Sequence, residues 1–355
     1  MLSERWLSSR YGRRASTPST KSVFPQADPC KLPRVTILVL GGTKFVGRAF
    51  VRAALEAGHD VTLVHRGRTG ADLFPECEHV LLDRNDGYAP LSGRSFDGVV
   101  DVSAYVPRVA GQAARDLNAD RYVFVSTVSV YADFAPDGND EDAPLLPAVD
   151  DTEEVTGETY GGLKVACERE VRVARPEAEI IRPGIVAGAY DPSNRLPYWV
   201  RRFSQGGDIL VPMRGAQPIQ LVDARDLAEF MLRRLEAPSG GTFNCVGPDE
   251  TVSNLFSLLS TRFPDATGVP VPDLAAKGVE LGRELPLIQP EDGSADGVFR
   301  TRADRAKAAG FVQRPLADTI AETAEWLARE DPGPDAAKYG TLSPEREREI
   351  LSGAR

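Results

Sequence analysis

The chain has 355 residues, of which 42% are hydrophobic and 26% are charged. At roughly 150 residues per domain, this length allows about two domains or one large domain with an added lobe. The composition is close to that of an average globular protein, which excludes a fibrous or largely disordered chain. No apolar run approaches the roughly 18 residues that a membrane span needs, so we expect no membrane association.

Charge is distributed unevenly along the chain. Residues 1–34 carry seven Lys or Arg and two Asp or Glu, whereas the remaining residues carry 35 basic and 50 acidic side chains. We interpret residues 1–34 as a disordered basic extension, with an organelle transit peptide as the alternative. The acidic body repels nucleic-acid backbones, so we expect no nucleic-acid partner. Because residues 1–34 contain no apolar segment of a secretory signal, we expect a cytoplasmic location.

The cysteine and histidine content limits the chemistry. The four cysteines lie far apart and form no C-x-x-C pair, so we expect them to be reduced and to bind no structural zinc. The three histidines all lie in the first quarter of the chain, which argues against Ser-His-Asp chemistry and multi-histidine metal centres. We therefore expect no metal, and acid–base chemistry that uses tyrosine, lysine or carboxylates.

From residue 35 onward, short apolar segments alternate with helical patterns, which is typical of parallel strands joined by crossover helices. A helix is predicted over 45–58, ending at Gly58. Segments 219–222 and 241–247, separated by a helix over about 224–235, are predicted to rejoin the sheet. The other predicted strands are 35–40, 61–66, 79–83, 98–103, 121–127 and 179–186. The predicted fold class is α/β, a doubly wound parallel sheet with a smaller C-terminal substrate lobe.

The same pattern predicts the domain organisation. The cofactor-binding domain comprises residues 35–187, 217–247 and about 300–330, and it includes an amphipathic helix over 315–330. Segments 188–216 and 248–300 form the smaller lobe, covering the strand ends where ligands bind in open α/β sheets. Residues 331–355 are a C-terminal tail with a short polar helix over 343–351, for which Ser343 is the expected N-cap.

A glycine-rich segment, L-G-G-T-K-F-V-G at 40–47, joins the first predicted strand to the first predicted helix. Glycines allow the backbone to approach a pyrophosphate, and a helix N-terminus supplies unpaired N–H groups and the positive end of a dipole. The strand-turn-helix context favours dinucleotide binding over an ordinary tight turn. The candidate cofactor-binding residues are Gly41, Gly42, Thr43, Lys44, Phe45, Val46 and Gly47.

The second predicted strand ends in basic residues, His65 and Arg66, with Arg68 close behind. A carboxylate at this place would bind the ribose 2′-OH of NAD, whereas basic residues suit the 2′-phosphate of NADP. We therefore favour NADP(H), with NAD(H) as the alternative if the arginines are only solvated. Asp83, at the end of the third predicted strand, is a candidate acceptor for the adenine amino group, or else a turn-forming residue.

The strongest catalytic pattern is Y-G-G-L-K at 160–164, read together with S-T-V-S-V-Y at the end of the fifth predicted strand. On a helix, Tyr160 and Lys164 share one face. A nearby ammonium favours phenolate and would lower the tyrosine pKa from its ordinary value of ~10. Thr127 would orient the substrate oxygen while Tyr160 gives or takes its proton during hydride transfer.

In sequence order, these motifs resemble the short-chain dehydrogenase/reductase superfamily, specifically its extended and atypical branch that includes NAD-dependent epimerase/dehydratase proteins. The resemblance covers about residues 35–330 and also uses IIRPGIVAG, LVDARDLAEF and GTFNCVG. It implies a Rossmann domain with bound NAD(P) and a triad of Thr127, Tyr160 and Lys164, in which Lys164 also holds the nicotinamide ribose. The further cofactor-binding residues that it implies are Ser103, Ala104, Ser126, Pro183, Gly184 and Val186.

Three departures from the family pattern limit the substrate. Lys44 replaces the central glycine of the first turn, as in the atypical branch and the chloroplast stem-loop-binding relatives. Val128 and Ser129 replace the Asp-Glu of sugar-nucleotide 4,6-dehydratases, and Ile219 and Gln220 stand where sugar-nucleotide epimerases have a diphosphate-binding Arg. We therefore expect an enzyme that reduces, oxidises or epimerises a secondary alcohol or ketone of a sugar-like small molecule. The alternatives are a nucleotide-sugar epimerase proper and a non-catalytic NAD(P)-sensing or RNA-binding protein. A homodimer is implied only by the resemblance.

Overall fold

The structure, a computed structural model, describes residues 34–134, 138–290, 292, 296–330, 332–333 and 339–353. The predicted disordered extension therefore lies outside the described residues, apart from Arg34. The strands are β1 (Thr36–Leu40), β2 (Asp60–His65), β3 (Glu78–Leu81), β4 (Ser95–Asp101), β5 (Asn118–Val125), β6 (Glu179–Pro183), β7 (Ile185–Ala187), β8 (Gly207–Pro212), β9 (Pro218–Ile219), β10 (Leu221–Asp223), β11 (Thr242–Cys245), β12 (Glu250–Thr251) and β13 (Ala266–Val271). The α-helices are α1 (Phe45–Glu56), α2 (Pro107–Asp116), α3 (Tyr160–Ala174), α4 (Arg195–Ser204), α5 (Ala224–Glu236), α6 (Val252–Arg262), α7 (Asp304–Ala308), α8 (Leu316–Glu330) and α9 (Pro344–Gly353).

The central sheet has seven strands in the order β11-β6-β5-β4-β1-β2-β3, and each neighbouring pair is parallel. Side chains alternate between the two faces of a strand, so β1 contributes to two separate cores. Ile37 and Val39 belong to the core that also contains α1 and α5 residues, whereas Leu38 and Leu40 belong to the core with α2 and α3 residues. Helices thus cover both faces, and the predicted doubly wound α/β fold is confirmed.

The predicted strand over 179–186 is interrupted at Gly184. β6 stays in the central sheet, while β7 leaves it and pairs in parallel with β10 in a separate two-stranded sheet. The prediction that segment 219–222 rejoins the central sheet is therefore wrong, whereas β11, within predicted segment 241–247, does rejoin it beside β6. Gly184 packs tightly at this break, because an added Cβ would lie 2.9 Å from Val246.

A third hydrophobic core lies in the C-terminal half of the chain. It is built from α4, α6, α8 and α9 together with the parallel pair of β8 and β13. Trp199 is fully buried there and its indole N–H donates to the Pro286 carbonyl at 2.7 Å. The predicted terminal helix is present as α9, and Ser343 accepts a hydrogen bond from the Arg346 N–H, as its N-cap role requires.

Helix α2 was not predicted from the sequence. It is short and contains Gly111, and its buried residues are the small or apolar Val109, Ala110, Gly111, Ala113 and Ala114. Its first residue is Pro107, a residue common at the first helical position, and this was the available signal. Among the described residues, no helix is both long and apolar enough to cross a membrane.

Candidate active site

The glycine-rich turn lies where the strand order reverses, between β1 and its neighbour β4. In open α/β sheets this switch point opens a crevice at the carboxyl ends of the strands. Gly41 has a φ of +96°, and a Cβ added to it would lie 2.7 Å from the Cβ of Ser103, which follows β4. A Cβ on Gly47 would lie 2.1 Å from the Gly41 carbonyl oxygen. The turn therefore needs glycine at both positions.

The start of α1 leaves its first backbone N–H groups without a side-chain cap. Lys44 is the N-cap residue and makes no capping hydrogen bond, and the first turn has no acidic residue. These groups fit the pyrophosphate of a dinucleotide, which needs N–H donors and a positive dipole end. Gly42 and Thr43 are buried, whereas Lys44 is exposed and Val46 is half-buried. Phe45 lines a groove of about 570 Å³ between α1 and α5.

A buried ion pair between Arg84 and Asp101 is linked to this turn through the hydroxyl of Ser103. Arg84 contacts both carboxylate oxygens of Asp101, at 2.8 and 2.6 Å, and its guanidinium also donates to the Ser103 hydroxyl at 2.8 Å. The Ser103 hydroxyl donates in turn to the Leu40 carbonyl at 3.0 Å, one residue before Gly41. Sequence reasoning placed Ser103 in the site but missed Arg84 and Asp101. An isolated arginine after Asp83 gives no sequence signal of burial.

His65 is buried and both of its ring nitrogens are engaged. Its Nδ1 accepts from the Gly67 N–H at 3.0 Å, so its Nε2–H donates to His79 Nδ1 at 2.8 Å. His79 Nε2–H donates to the Phe74 carbonyl at 3.1 Å. Burial, and secondarily His79, lower the pKa of His65. His65 is therefore neutral in this structure. The positive charge expected at the end of β2 comes from Arg66 and Arg68 and not from His65.

Arg66 and Asp83 lie at the open end of this strand pair. The Arg66 side chain is 54% exposed, and its guanidinium lies 4.0 Å from the Asp83 carboxylate. Asp83 accepts hydrogen bonds from the backbone and side chain of Asn85, at 3.0 and 2.9 Å. The backbone hydrogen bond from Asn85 is the main cause of the lowered pKa of Asp83. Asp83 therefore caps this turn, and its role as an acceptor for the adenine amino group stays a prediction.

The end of β5 presents Ser126 and Thr127. The Thr127 hydroxyl caps a single 3-10 turn over Val128–Val130 by accepting from the Ser129 N–H at 3.1 Å, and it donates to the Ser129 hydroxyl at 3.2 Å. The Ser126 backbone N–H donates to the Ile181 carbonyl at 2.6 Å. The Ser126 hydroxyl is buried and has no hydrogen-bond partner among the described residues.

Tyr160 is the first residue of α3, and two glycines bring this end of the helix against the β5 turn. A Cβ on Gly161 would lie 2.3 Å from the Ser129 carbonyl oxygen, and one on Gly162 would lie 2.5 Å from Val149. This close approach brings the Thr127 hydroxyl near enough to the Tyr160 phenol to lower its pKa. The structure thus brings the predicted Thr and Tyr together.

Lys164 lies one helical turn after Tyr160 and is fully buried. Its ammonium donates to the Ala104 carbonyl at 2.8 Å and to the Val125 carbonyl at 2.7 Å. It also lies 5.4 Å from the centre of the Tyr105 ring. Burial is the largest influence on Lys164 and lowers its pKa. The ammonium therefore ties α3 to the ends of β4 and β5.

The pKa of Tyr160 differs from the sequence-based expectation. Burial raises it to about 12, although the nearby Thr127 hydroxyl and the charge of Arg195 lower it. The expected lowering is therefore wrong for this structure. The physical reason is that the Tyr160 side chain is partly buried while the Lys164 ammonium is directed at two backbone carbonyls. As it stands, Tyr160 is a protonated phenol and hence a proton donor.

The remaining predicted residues lie around this centre. Ala104 is buried and contributes the carbonyl that binds Lys164. Pro183 is the last residue of β6, the Gly184 N–H donates to the Cys245 carbonyl at 3.0 Å, and Val186 lies in β7. A residue that sequence reasoning missed is Tyr105, whose ring centre lies 6.3 Å from that of Tyr160.

The comparisons with known proteins agree with this geometry. The family model described as the NAD dependent epimerase/dehydratase family matches residues 37–246, more than half of the chain. The chain belongs to the NAD-dependent epimerase/dehydratase family. The resemblance that the sequence motifs indicated is therefore confirmed. The reaction and the substrate of this chain are questions separate from family membership.

The proteins that this chain is similar to are named for different functions. It is 28% identical over 262 residues to the Arabidopsis thaliana chloroplast stem-loop binding protein of 41 kDa b, a match that covers 67% of this chain and only 65% of that protein. It is 29% identical over 231 residues to a probable low-salt glycan biosynthesis reductase, Agl14, of Haloferax volcanii, covering 58% of this chain and 72% of that protein. The UDP-N-acetylglucosamine 4-epimerase of Bacillus cereus has a similar fold, with a TM-score of 0.63 at 17% identity over 84% of this chain and 99% of that one.

Proposed function

We propose that this protein transfers a hydride at a secondary alcohol or ketone of a sugar-like substrate, with NADP(H) as the favoured cofactor. The observation that supports this most is that Tyr160 and Thr127 lie together at the strand ends next to the dinucleotide crevice, with the buried Lys164 one helical turn after the tyrosine. Family membership supports the hydride chemistry. A nicotinamide cofactor held by the glycine-rich turn would supply the hydride that the carbonyl carbon of the substrate accepts.

The chain's own residues handle the proton and the substrate oxygen. In reduction, the Tyr160 phenol gives its proton to the carbonyl oxygen as the carbon gains hydride, so that C=O becomes CH–OH. Tyr160 then regains a proton from solvent. Thr127 orients the same oxygen through its hydroxyl. Lys164 fixes the end of β4 and the start of α3 through the Ala104 carbonyl.

The cofactor form is a separate part of the proposal. Arg66 is exposed at the end of β2, beside the turn that would hold the adenine ribose, and this supports recognition of a 2′-phosphate. His65 contributes no charge, because burial lowers its pKa and both ring nitrogens are engaged. The preference for NADP(H) therefore depends on Arg66 and its neighbour Arg68, and NAD(H) remains the alternative.

The substrate lobe is proposed to comprise 188–216 and 248–300, as the sequence pattern predicts. Arg195, the first residue of α4 in the first of these segments, carries a charge that lowers the pKa of Tyr160. This influence supports a lobe that covers the site. The proposal also includes a small-molecule substrate and a cytoplasmic location. By analogy with the family, we further propose a homodimer, and native mass spectrometry of the purified protein measures this oligomeric state.

Two assays test the proposed reaction. Purified protein is incubated with ketoses, aldoses and their nucleotide conjugates, and NADPH consumption is followed at 340 nm. A reductase consumes cofactor in proportion to product, whereas an epimerase forms product without net consumption. Native mass spectrometry of fresh protein is the second assay, because retained NAD(H) favours the epimerase and an empty site filled by added NADPH favours the reductase. No product with any of these substrates would contradict the proposal.

A second candidate function is RNA binding, which is favoured by the name of the Arabidopsis thaliana relative. Against it, residues 35–355 carry 35 basic and 50 acidic side chains, whereas RNA-binding surfaces need a basic face. A gel-shift assay with a stem-loop RNA at increasing salt decides between the two. Salt-sensitive binding in the micromolar range or tighter would support RNA binding, and no shift would support the enzyme.

A further inference from the structure

A cavity of about 530 Å³ is bordered by β9, β12 and the segment 299–307. Its volume lies within the range of small-molecule sites, which is about 300–1,000 Å³. None of the residues that line it is among those assigned above to the cofactor or to proton transfer. Most of the lining side chains are polar or charged, so the cavity suits a polar molecule.

Gln220, which lines this cavity, has an amide oxygen without a partner. The residue is 4% exposed, and its side-chain NH₂ donates to the Asp249 carboxylate at 2.7 Å and to the Thr301 carbonyl at 3.1 Å. Because both of these groups only accept, they fix the NH₂ on their side and the amide oxygen on the other. That oxygen is buried and has no hydrogen-bond partner among the residues that the structure describes. It is therefore an acceptor for which this part of the chain supplies no donor.

Thr301 provides a second unpartnered group at the same cavity. It is 2% exposed, and its hydroxyl oxygen is buried without a hydrogen-bond partner in the described part of the chain. Roughly nine-tenths or more of buried polar groups are hydrogen-bonded, and leaving one unpaired costs stability. Two such groups on neighbouring walls of one cavity indicate a bound molecule that carries both donors and acceptors.

The charged side chains around the cavity are balanced. Three carboxylates and three cations line it, namely Asp249, Glu250, Asp304, Arg300, Arg302 and Lys307. Asp304 and Arg302 form an ion pair with each other at 2.7 Å. The Arg300 and Lys307 side chains are exposed and make no hydrogen bond or ion pair with any described residue. Equal numbers of both signs favour a neutral ligand over an anion, and the free cations remain as hydrogen-bond donors.

We propose that this cavity binds a neutral molecule with several hydroxyl groups, of the sugar or polyol class. One hydroxyl of the ligand donates to the Gln220 amide oxygen, another is bound by the Thr301 hydroxyl, and Lys307 donates from the rim. Such a ligand satisfies both buried groups without bringing net charge to the carboxylates. The proposal goes beyond the function proposed above, because it depends neither on hydride transfer nor on the cofactor.

Isothermal titration calorimetry with the full-length protein tests this site. The probes are methyl α-D-glucopyranoside, methyl α-D-galactopyranoside, methyl α-D-mannopyranoside and myo-inositol, which have no carbonyl group to accept a hydride. We expect at least one probe to bind with a dissociation constant of about 1 mM or tighter. Thr301→Val removes the hydroxyl at nearly the same shape and should weaken binding about tenfold, whereas Thr301→Ser keeps the hydroxyl and should bind within about twofold of the wild type.

A second pair of variants tests the rim. Lys307→Gln should weaken binding about fivefold, as expected for the loss of one charged donor. Arg305→Gln is the matched control, because Arg305 is exposed on the same helix, α7, but does not line the cavity. Since Lys307 is exposed, this pair remains informative if Thr301→Val fails to fold.

Three outcomes would overturn the proposal. The first is no binding of any probe up to about 10 mM, or equal affinity in wild type, Thr301→Val and Lys307→Gln, since water alone would then occupy the cavity. The second is that α-D-glucose 1-phosphate binds at least about tenfold more tightly than every neutral probe, because the ligand would then be an anion. The third is loss of sugar binding in Tyr160→Phe, which would place the sugar at the candidate active site. Failure of the proposed function is a separate result, in which Tyr160→Phe keeps full activity.

Discussion

Substitution of Gly47 by alanine tests whether the glycine-rich turn has the role that its geometry indicates. The new Cβ would lie 2.1 Å from the Gly41 carbonyl oxygen, 3.0 Å from its carbon and 3.1 Å from Gly42 Cα. These are backbone atoms, so relief requires that α1 and the turn move apart. Overpacking of this kind costs about 1–3 kcal/mol of folding stability. The same movement displaces the N–H groups of α1, so we expect the dissociation constant for NADPH to increase at least about tenfold, equivalent to about 1.4 kcal/mol.

The assay combines urea unfolding with a fluorescence titration of NADPH. Gly157→Ala is the matched control, because a Cβ there has nothing within 4 Å and its φ lies outside the positive region. It should leave stability unchanged or improve it by up to about 1 kcal/mol. If Gly47→Ala had the same free energy of unfolding and the same dissociation constant for NADPH as the wild type, the close approach of α1 to the turn would not be needed for the site.

Three further predictions address the surroundings of the cofactor crevice. Arg84→Met leaves the fully buried Asp101 carboxylate without its arginine partner and should lower the free energy of unfolding in urea by about 3–5 kcal/mol. The double variant with Asp101→Asn should recover part of this loss. An unchanged free energy of unfolding in Arg84→Met would show that the pair is not buried. Arg66→Ala should weaken NADPH binding about tenfold and leave NADH binding unchanged, and equal effects on both would show that Arg66 does not bind a 2′-phosphate. Because the pKa of His65 is lowered by folding, the imidazole binds a proton more readily in the unfolded chain than in the folded protein, so the stability that neutral His65 contributes is present above pH 6.5 and is lost as the pH falls. The free energy of unfolding, measured at pH 7.5 and 5.5, should therefore depend less on pH in His65→Gln than in the wild type. An unchanged pH dependence would contradict the assignment of His65 as neutral.

Local sequence patterns were sufficient to predict the central sheet. The buried run of β1 and the glycines of the following turn indicate a strand, a turn and a helix within one short segment, and the structure has all three there. The break at Gly184 was not predicted, although Pro183 and Gly184 are residues that commonly interrupt a strand. The split into β6 and β7 follows from contacts with Val246 and with β10, which are remote in sequence.

The candidate site was predictable in its composition and less so in its electrostatics. The spacing of Tyr160 and Lys164 correctly indicates one helical turn, but spacing does not show where the lysine ammonium points. In the structure it binds the Ala104 and Val125 carbonyls, so burial controls the pKa of the phenol. Tyr105 was missed for a related reason, because its place beside Tyr160 depends on how the segment after β4 packs against the start of α3, which local sequence does not encode.

The most direct test of the central claim compares wild type with Tyr160→Phe. NADPH oxidation at 340 nm is measured with the substrate that gives turnover, and NADPH binding is titrated in parallel. We predict that Tyr160→Phe binds NADPH with unchanged affinity and turns over at least about a hundredfold more slowly, the usual scale for a removed acid–base group. Equal rates in the two proteins would contradict the assignment of Tyr160 as the proton donor.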